Sequence, residues 1–274
     1  MRIAFIGDIV GRPGRKIIKD SLKTLKNEFN IDFVIANGEN ASHGFGLTVE
    51  SAKELFSSGI DLITGGNHSF DKKKDVQVLL QGGNVLRPHN YPEGVIGTGL
   101  KICDVKVGEN IEKLAVLNLM GQYSMPIVDN PFNLATKVIN ELQEQNIKNI
   151  FIDFHGEATS EKRVMLIMFK GKVSGICGTH THVGTDDLQI FENTAYLSDI
   201  GLTGCCDNVI GMEAYAPIQR ATTGLGSHFE VPNSCKSILQ MMVIDIEDGI
   251  ATNSFKIKKF CNKSDLIITE AFTL

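Results

Sequence analysis

Three short runs of polar residues each follow an apolar stretch that is typical of a β-strand. The runs are Gly7-Asp8, Asn67-His68 and Gly178-Thr179-His180-Thr181-His182. Carboxylate, amide and imidazole groups of this kind bind transition-metal ions. Their repeated occurrence at strand ends indicates a site that holds two metal ions and acts on a phosphoester.

Five loops that follow predicted strands carry eight groups able to join such a site. These groups are Asp8, Glu39, Asn40, Asn67, His68, His155, His180 and His182. In an open α/β sheet, ligands gather beyond the carboxyl ends of the strands, so we expect the eight groups to share one rim. Taken alone, Asp8 is more often a turn former and His155 a structural histidine. The convergence of four histidines, two carboxylates and two amides at successive strand ends favours a metal centre instead.

The donor types predict both the class of metal and the chemistry. Mixed imidazole, carboxylate and amide-oxygen ligation suits Mn, Fe, Zn or Co better than Ca, and the set suffices for two ions if Glu39 is shared. Two cations about 3.5–4 Å apart can hold a bridging hydroxide and neutralise charge on a phosphoryl group. His68 adjoins Asn67 and is the candidate general acid, although a histidine that orients another ligand is the alternative role.

The elements that must position these groups follow a βα pattern in the first half of the chain. Strands are predicted at residues 2–6, 32–36, 61–64, 114–119, 149–154, 173–177 and 195–198, and helices at residues 14–28, 48–58, 71–79, 131–145 and 160–169. Residues 237–246 and 251–260 alternate as strands around the turn residues 247–249, so the fold is expected to end as a β pair. Residues 201–231 are the least regular region and a candidate flexible loop or lid.

Composition limits the other classes of function. A chain of 274 residues with 42% hydrophobic and 22% charged residues is expected to form a single domain, residues 1–274. The net charge of −5 offers no general attraction for nucleic acids or anionic membranes, so we expect neither an extended nucleic-acid surface nor a membrane partner. No membrane span or signal peptide is evident, and a cytoplasmic location is expected.

The six cysteines lack a CxxC pair and are expected to remain thiols. Most of them, including the vicinal pair Cys205-Cys206, are expected to pack as small apolar side chains.

The polar runs resemble those of the calcineurin-like metallophosphoesterases. The blocks that carry the resemblance are Gly7-Asp8, Gly38-Glu39-Asn40, Gly66-Asn67-His68, His155 and Gly178-Thr179-His180-Thr181-His182. Val10 stands where the commonest first block has a histidine, and Glu39 replaces the usual bridging aspartate. Asn40 can fill the coordination position lost with that histidine. Together with residues 37–44, 87–88, 153–162 and 199–204, these departures are similar to the bacterial YmdB-type phosphodiesterases over nearly the whole chain.

That resemblance implies an α/β fold of two packed mixed β-sheets flanked by helices, an α/β/β/α sandwich. It implies cyclic nucleotides as substrates, 2′,3′-cyclic ones first and 3′,5′-cyclic ones as further candidates, and a homo-oligomer. The implied metals are Fe or Mn, with Zn as an alternative. One metal is implied to bind Asp8, Glu39, Asn40 and His182, the other Glu39, Asn67, His155 and His180, with His68 as proton donor.

Two other functions stay open at this point. A phosphomonoesterase or nucleotidase could use the same metals, because metal activation does not determine how many ester bonds flank the phosphorus. A regulator that binds a nucleotide or RNA without turnover is the non-catalytic alternative. Residues near the site that receive no individual role are His43, Glu157, Lys162, Asp187 and Asp199.

Overall fold

Two seven-stranded β-sheets lie face to face in the computed structural model, which describes residues 1–274. In chain order the strands are β1 (Arg2–Ile6), β2 (Phe33–Asn37), β3 (Leu62–Thr64), β4 (Leu100–Val107), β5 (Asn110–Met120), β6 (Asn149–His155), β7 (Gly175–Thr179), β8 (Gln189–Phe191), β9 (Thr194–Leu197), β10 (Gly204–Cys205), β11 (Ser237–Glu247), β12 (Ile250–Phe260), β13 (Leu266–Glu270) and β14 (Phe272–Thr273). The helices are α1 (Gly11–Glu28), α2 (Val49–Ser57), α3 (Val76–Gln81), α4 (Pro131–Glu144), α5 (Thr159–Phe169) and α6 (Tyr215–Thr223).

Both sheets mix parallel and antiparallel pairs. The first has the order β13-β12-β11-β1-β2-β3, with β10 paired to β11, and its strands β1, β2 and β3 run parallel. The second has the order β14-β8-β9-β7-β6-β5-β4, and β5, β6, β7 and β9 run parallel within it. The carboxyl ends of the central parallel strands are where ligands gather in such sheets.

Three apolar layers hold the sheets and helices together. Along β1, Ala4 and Ile6 face α1 and α2, whereas Ile3 and Phe5 point the other way, into the layer between the two sheets. This alternation follows from the two-residue period of a strand. A third layer lies between the second sheet and helices α4 and α5. The order of layers is therefore helix, sheet, sheet, helix, which confirms the expected sandwich.

The helices begin and end close to where their local signals predicted. The Asn130 side chain accepts hydrogen bonds from the backbone amides of Phe132 and Asn133, both at 3.0 Å, and Pro131 takes the first position of α4. Thr48 accepts from the Ser51 amide at the start of α2. All seven predicted strands and all five predicted helices are present, with ends that differ by a few residues.

Other expectations were wrong in part. Helix α3 begins at Val76 instead of residue 71, because residues 69–75 form turns in which Asp71 contacts His68. Residues 201–231 contain helix α6 and the two-residue strand β10, so the region is more regular than expected. The chain does not end with the β11–β12 pair, since β13 and β14 follow it and extend both sheets. Strand β4 was missed because it is an edge strand with charged residues on its open face.

The cysteines also differ from expectation. Cys205 and Cys235 form a disulfide with a Cα–Cα distance of 5.7 Å, so the prediction of six thiols was wrong. The pairing of β10 with β11 brings these residues together, which their separation of 30 residues does not reveal. Cys103 and Cys177 are buried as expected, but Cys206 is exposed. No helix combines the length and apolar character needed to cross a membrane.

Candidate metal centre

The carboxyl ends of five parallel strands meet at one edge where the two sheets pack. Asp8 follows β1, Glu39 and Asn40 follow β2, and Asn67 and His68 follow β3 in the first sheet. His155 ends β6 in the second sheet, and His180 and His182 follow β7. The structure thus brings together all eight residues singled out in the sequence.

The Glu39 carboxylate lies at the middle of this group and is almost completely buried. Its Oε1 atom is 3.2 Å from Asn40 Nδ2 and 3.2 Å from His155 Nε2. Its Oε2 atom accepts the His68 backbone amide at 3.0 Å. A side chain added at Gly66 would collide with Glu39 Oε2, so the Gly-Asn-His run needs its glycine to admit this carboxylate.

Two sets of donors extend from Glu39 in opposite directions. On one side, His182 Nε2 is 3.2 Å from Asn40 Nδ2 and 3.9 Å from Asp8 Oδ1. This side of the centre therefore combines two carboxylates, an amide and an imidazole.

On the other side, His155 Nε2 is 2.8 Å from Asn67 Oδ1 and 3.1 Å from His180 Nδ1. Glu39 therefore lies between two groups of contacting side chains, Asp8, Asn40 and His182 in one and Asn67, His155 and His180 in the other.

The donor residues leave a buried polar atom without a partner, and a bound metal ion would supply that partner. Asp8 is fully buried, and its Oδ1 atom has no hydrogen-bond partner. A buried carboxylate without a partner is costly, and a bound cation removes that cost. Ligand atoms of Glu39, His155 and His180 all lie within 4.8 Å of one another, as the donors around one cation do. Oxygen and imidazole donors in this ratio suit Fe, Mn or Zn.

Electrostatics of the cluster point the same way. Burial raises the pKa of Asp8, and only the nearby histidines oppose that rise. Burial acts against the charged form of His155 too, but the neighbouring Glu39 and Asp8 outweigh it and raise the pKa of the ring. The site therefore attracts positive charge, and a metal ion would displace the His155 proton. Burial and the His155 charge lower the pKa of His180 to about 3, which leaves its ring neutral and able to bind metal.

The ring of His155 is held from behind by a buried hydroxyl and carboxylate. His155 Nδ1 lies 3.0 Å from Thr179 Oγ1, and that hydroxyl donates to Asp153 Oδ1 at 2.7 Å. Asp153 also accepts from Thr64 Oγ1 at 2.6 Å. Burial raises the pKa of Asp153 to about 7. These contacts orient His155 Nε2 toward the other donors.

The rings of His180 and His182 are also held by groups that are not themselves candidate donors. His180 Nε2 is 3.2 Å from a Glu157 carboxylate oxygen, and His182 Nδ1 is 2.8 Å from the Ile210 carbonyl oxygen. One nitrogen of each ring therefore faces the cluster while the other is bound elsewhere, as is usual for metal-binding histidines. Sequence reasoning pointed to Glu157 as a neighbour, but it missed Thr179 and the Ile210 carbonyl.

The loop that carries His180 and His182 has an unusual backbone. Both histidines have positive φ, 100° and 64°, a conformation that non-glycine residues adopt only when their surroundings impose it. Between them, the amide and the hydroxyl of Thr181 donate to Asp199 Oδ2 at 3.2 and 2.8 Å. Asp199 in turn pairs with the buried Lys162 ammonium at 2.7 Å. Asp199 thus acts on the histidines through Thr181, whereas Asp187 bonds Ser198 and contacts neither ring.

A cavity of about 340 Å³ opens above the donors. Its floor contains Glu39, Asn40, His68, His180, Thr181 and His182. Residues 206–234, which we call the roof, contribute a second set of lining residues: Val209, Ile210, Met212, Pro217 and Phe229. The region predicted as a candidate lid, residues 201–231, therefore contributes five residues to the lining of this cavity.

The chain is similar to known proteins over most of its length. A family model described as YmdB-like protein matches residues 4–259. The 2′,3′-cyclic-nucleotide 2′-phosphodiesterase of Bacillus subtilis (strain 168) is 44% identical over 249 residues, which cover 90% of this chain and 92% of that protein.

Solved structures agree with the fold. A crystal structure of a novel phosphatase from Mycoplasma pneumoniae superposes with a TM-score of 0.88 at 31% identity and covers 95% of this chain and 93% of that chain. The 5′-nucleotidase precursor from Thermus thermophilus superposes with a TM-score of 0.52 at 11% identity, over 98% of this chain and 54% of that one. At that identity the second likeness shows a shared fold and nothing more.

Proposed function

Because this chain belongs to the YmdB-like family, we propose that it is a metal-dependent phosphodiesterase that hydrolyses 2′,3′-cyclic nucleotides. The observation that carries the proposal is the pair of donor sets that share Glu39 beneath a cavity of about 340 Å³. A cavity of this size suits one small ligand. The activity named for the Bacillus relative supports the choice of substrate.

In this proposal each donor set holds one metal ion. Asp8, Glu39, Asn40 and His182 hold the first, and Glu39, Asn67, His155 and His180 hold the second. When bound, two such cations supply an activated water and neutralise negative charge on the phosphoryl group. The proposed metals are Fe or Mn, with Zn as the alternative. A homo-oligomer is proposed from the family resemblance, and the cytoplasm is kept as the proposed location.

His68 is the proposed proton donor. It lies at the cavity, its ring edge packs against Phe45 with 5.0 Å between centroids, and Asp71 binds its Nδ1 atom. The Nε2 atom is then the nitrogen available for proton transfer. As water oxygen bonds to phosphorus, the bond from phosphorus to O2′ breaks and O2′ takes the proton from His68. The product is a nucleoside 3′-monophosphate.

Phosphomonoesterase action is the second candidate, because the similar Mycoplasma structure is described as a phosphatase. The two activities differ in product. Hydrolysis of adenosine 2′,3′-cyclic phosphate to a monophosphate supports the proposal. Release of inorganic phosphate from a nucleoside monophosphate, with the cyclic diester untouched, supports the alternative. Tight nucleotide binding without any product supports the regulatory function.

The central experiment combines metal analysis with these assays on purified protein. We expect about two transition-metal ions per chain if the site is dinuclear. His68→Asn should lower turnover about 10²- to 10⁴-fold and leave the metal content unchanged. His43→Asn is the matched control, since His43 is exposed and lies outside the cavity. Protein without metal, or a His68→Asn variant with full turnover, would contradict the proposed mechanism.

A further inference from the structure

The cavity above the donors has two chemically different sides. The floor consists of carboxylate, amide and imidazole groups, whereas the roof contributes only apolar side chains. Ile210 is 50% exposed and Val209 is 36% exposed, although both lie beside a polar site. Apolar surface left open at a ligand cavity is typical of a wall that the ligand covers.

We propose that this wall binds the base of the nucleotide and that Phe229 stacks against it. The inference rests on the proposed function, because it takes the phosphodiester to lie over the two donor sets. A phosphate on the floor directs the rest of a nucleotide upward, where the roof is the surface available. A cavity of about 340 Å³ is large enough for a single nucleotide.

Phe229 is the one aromatic side chain that the roof contributes to the cavity. It is half-buried, and the Arg220 guanidinium carbon lies 5.9 Å from its ring centroid. The other aromatic residue at the cavity, Phe45, already packs against the His68 ring. Phe229 packs against the apolar cluster that contains Met212 and still lines the cavity, so it is the remaining aromatic ring that a base could meet there.

The roof does not distinguish one base from another. Its lining side chains carry no hydrogen-bond donor or acceptor, and the Ile210 carbonyl already accepts from His182. Stacking on an aromatic ring tolerates every base because each base has a π-face. The wall therefore selects cyclic phosphodiesters that carry a base over those that do not, with similar affinity for purines and pyrimidines.

The test compares two substrates in Phe229→Ala protein loaded with metal. One is a 2′,3′-cyclic nucleotide, assayed with each of the four bases, and the other is glycerol 1,2-cyclic phosphate, which has the same five-membered phosphodiester and no base. We expect KM for all four nucleotides to rise about tenfold, as for the loss of one stacking ring, with kcat nearly unchanged. The kinetics with the base-free substrate should stay within about twofold of the wild-type values. Phe229→Leu should fall between the wild type and Phe229→Ala.

Tyr215→Ala is the matched control, because Tyr215 is a 76% exposed aromatic residue of the same roof that does not line the cavity. This variant should behave as wild type with both substrates. An equal loss on both substrates in Phe229→Ala, or no loss on either, would overturn the assignment of Phe229.

Failure of the proposed function gives a different result, because wild-type protein would then hydrolyse neither cyclic substrate. Binding of adenosine 3′-monophosphate to metal-loaded protein, measured by calorimetry, tests the base site in that case. A Kd about tenfold weaker in Phe229→Ala supports the site, and an unchanged Kd overturns it.

Discussion

The Nδ1 atom of His68 lies 2.7 Å from a carboxylate oxygen of Asp71, three residues further along the chain. This contact holds the ring against rotation and assigns the two ring nitrogens different tasks. Asp71 is thereby a positioning residue for the proposed proton donor. It also explains why α3 begins later than its apolar pattern predicts, because the turn that precedes the helix is needed to form this contact.

Removal of that contact should slow proton transfer selectively. In Asp71→Ala we expect kcat for a 2′,3′-cyclic nucleotide to fall about ten- to hundredfold, which is part of what a general acid contributes, with metal content unchanged. A p-nitrophenyl phosphodiester should be much less affected, since its leaving group needs no proton. Steady-state kinetics with both substrates measure the difference. Asp186→Ala removes an exposed carboxylate of the same rim and serves as control. Equal losses on the two substrates would mean that Asp71 has a structural role only.

The hydroxyl of Thr181 should matter for metal affinity, although it binds no metal. Its hydrogen bond to Asp199 fixes the loop in which His180 and His182 have positive φ. We expect Thr181→Val to lose metal at chelator concentrations about 10- to 100-fold lower than wild type, as for other partners behind metal-binding histidines. Thr181→Ser keeps the hydroxyl and should retain the metal. Metal content after dialysis against graded chelator measures the effect, and a valine variant that held its metal as tightly as wild type would contradict the role.

The buried Lys256 should make stability depend on pH. Its side chain is nearly inaccessible, its ammonium has no hydrogen-bond partner, and burial followed by the Lys258 charge lowers its pKa to about 8 from 10.5. Below about pH 8 the folded chain carries the full cost of a buried charge. Between about pH 8 and 10.5 the folded state loses the proton before the unfolded state does, so stability rises with pH over that interval.

Lys256→Met should therefore increase the free energy of unfolding at pH 7 by about 1–3 kcal/mol. The gain should shrink as pH rises from 8 to 10.5. Urea unfolding of both proteins at pH 7 and pH 10 measures it, and Lys23→Met, at an exposed position of α1, should give no comparable gain. A gain that is equal at both pH values would show that the charge of Lys256 is not the cause.

The disulfide should stabilise the fold through the loop that it closes. Cys205 and Cys235 are 30 residues apart, and a cross-link of that span contributes about 2–4 kcal/mol by restricting the unfolded chain. We expect a reductant to lower the unfolding free energy of wild type by this amount and to leave the Cys205→Ser/Cys235→Ser double variant unaffected. Cys206→Ser removes an exposed thiol and should keep the wild-type response. A wild type indifferent to reductant would contradict the prediction.

The residues that the structure brings together at the candidate site could be predicted from the sequence because each one lies at the end of a strand or within a few residues after it. The strand end gives its place at the rim, and the residue type gives its chemistry. The groups behind the donors could not be predicted in the same way. Nothing in the sequence marks Thr179, because only the fold places it beside His155. The group of Ile210 that contacts His182 is its backbone carbonyl, which the residue type does not reveal.

The fold was predictable to a similar extent and for similar reasons. Buried central strands such as β1 contain continuous apolar runs and were found, whereas the edge strand β4 alternates with charged residues and was missed. The partner of Cys205 depends on the pairing of β10 with β11, which is a long-range contact. Local sequence patterns thus predict most helices and strands and roughly where they end. Contacts between elements that are distant in the sequence can be identified only from the structure.

The ligands are divided between the two sheets by chemical type. The first sheet provides the oxygen donors Asp8, Glu39, Asn40 and Asn67, and the second provides the nitrogen donors His155, His180 and His182. Neither sheet alone offers the mixed set that a transition metal prefers. The ions would therefore act as cross-links between the two halves of the sandwich, and capture of metal must follow the docking of one half on the other. Metal content would then report the tertiary structure of the whole chain, since protein whose sheets had come apart could not retain its ions.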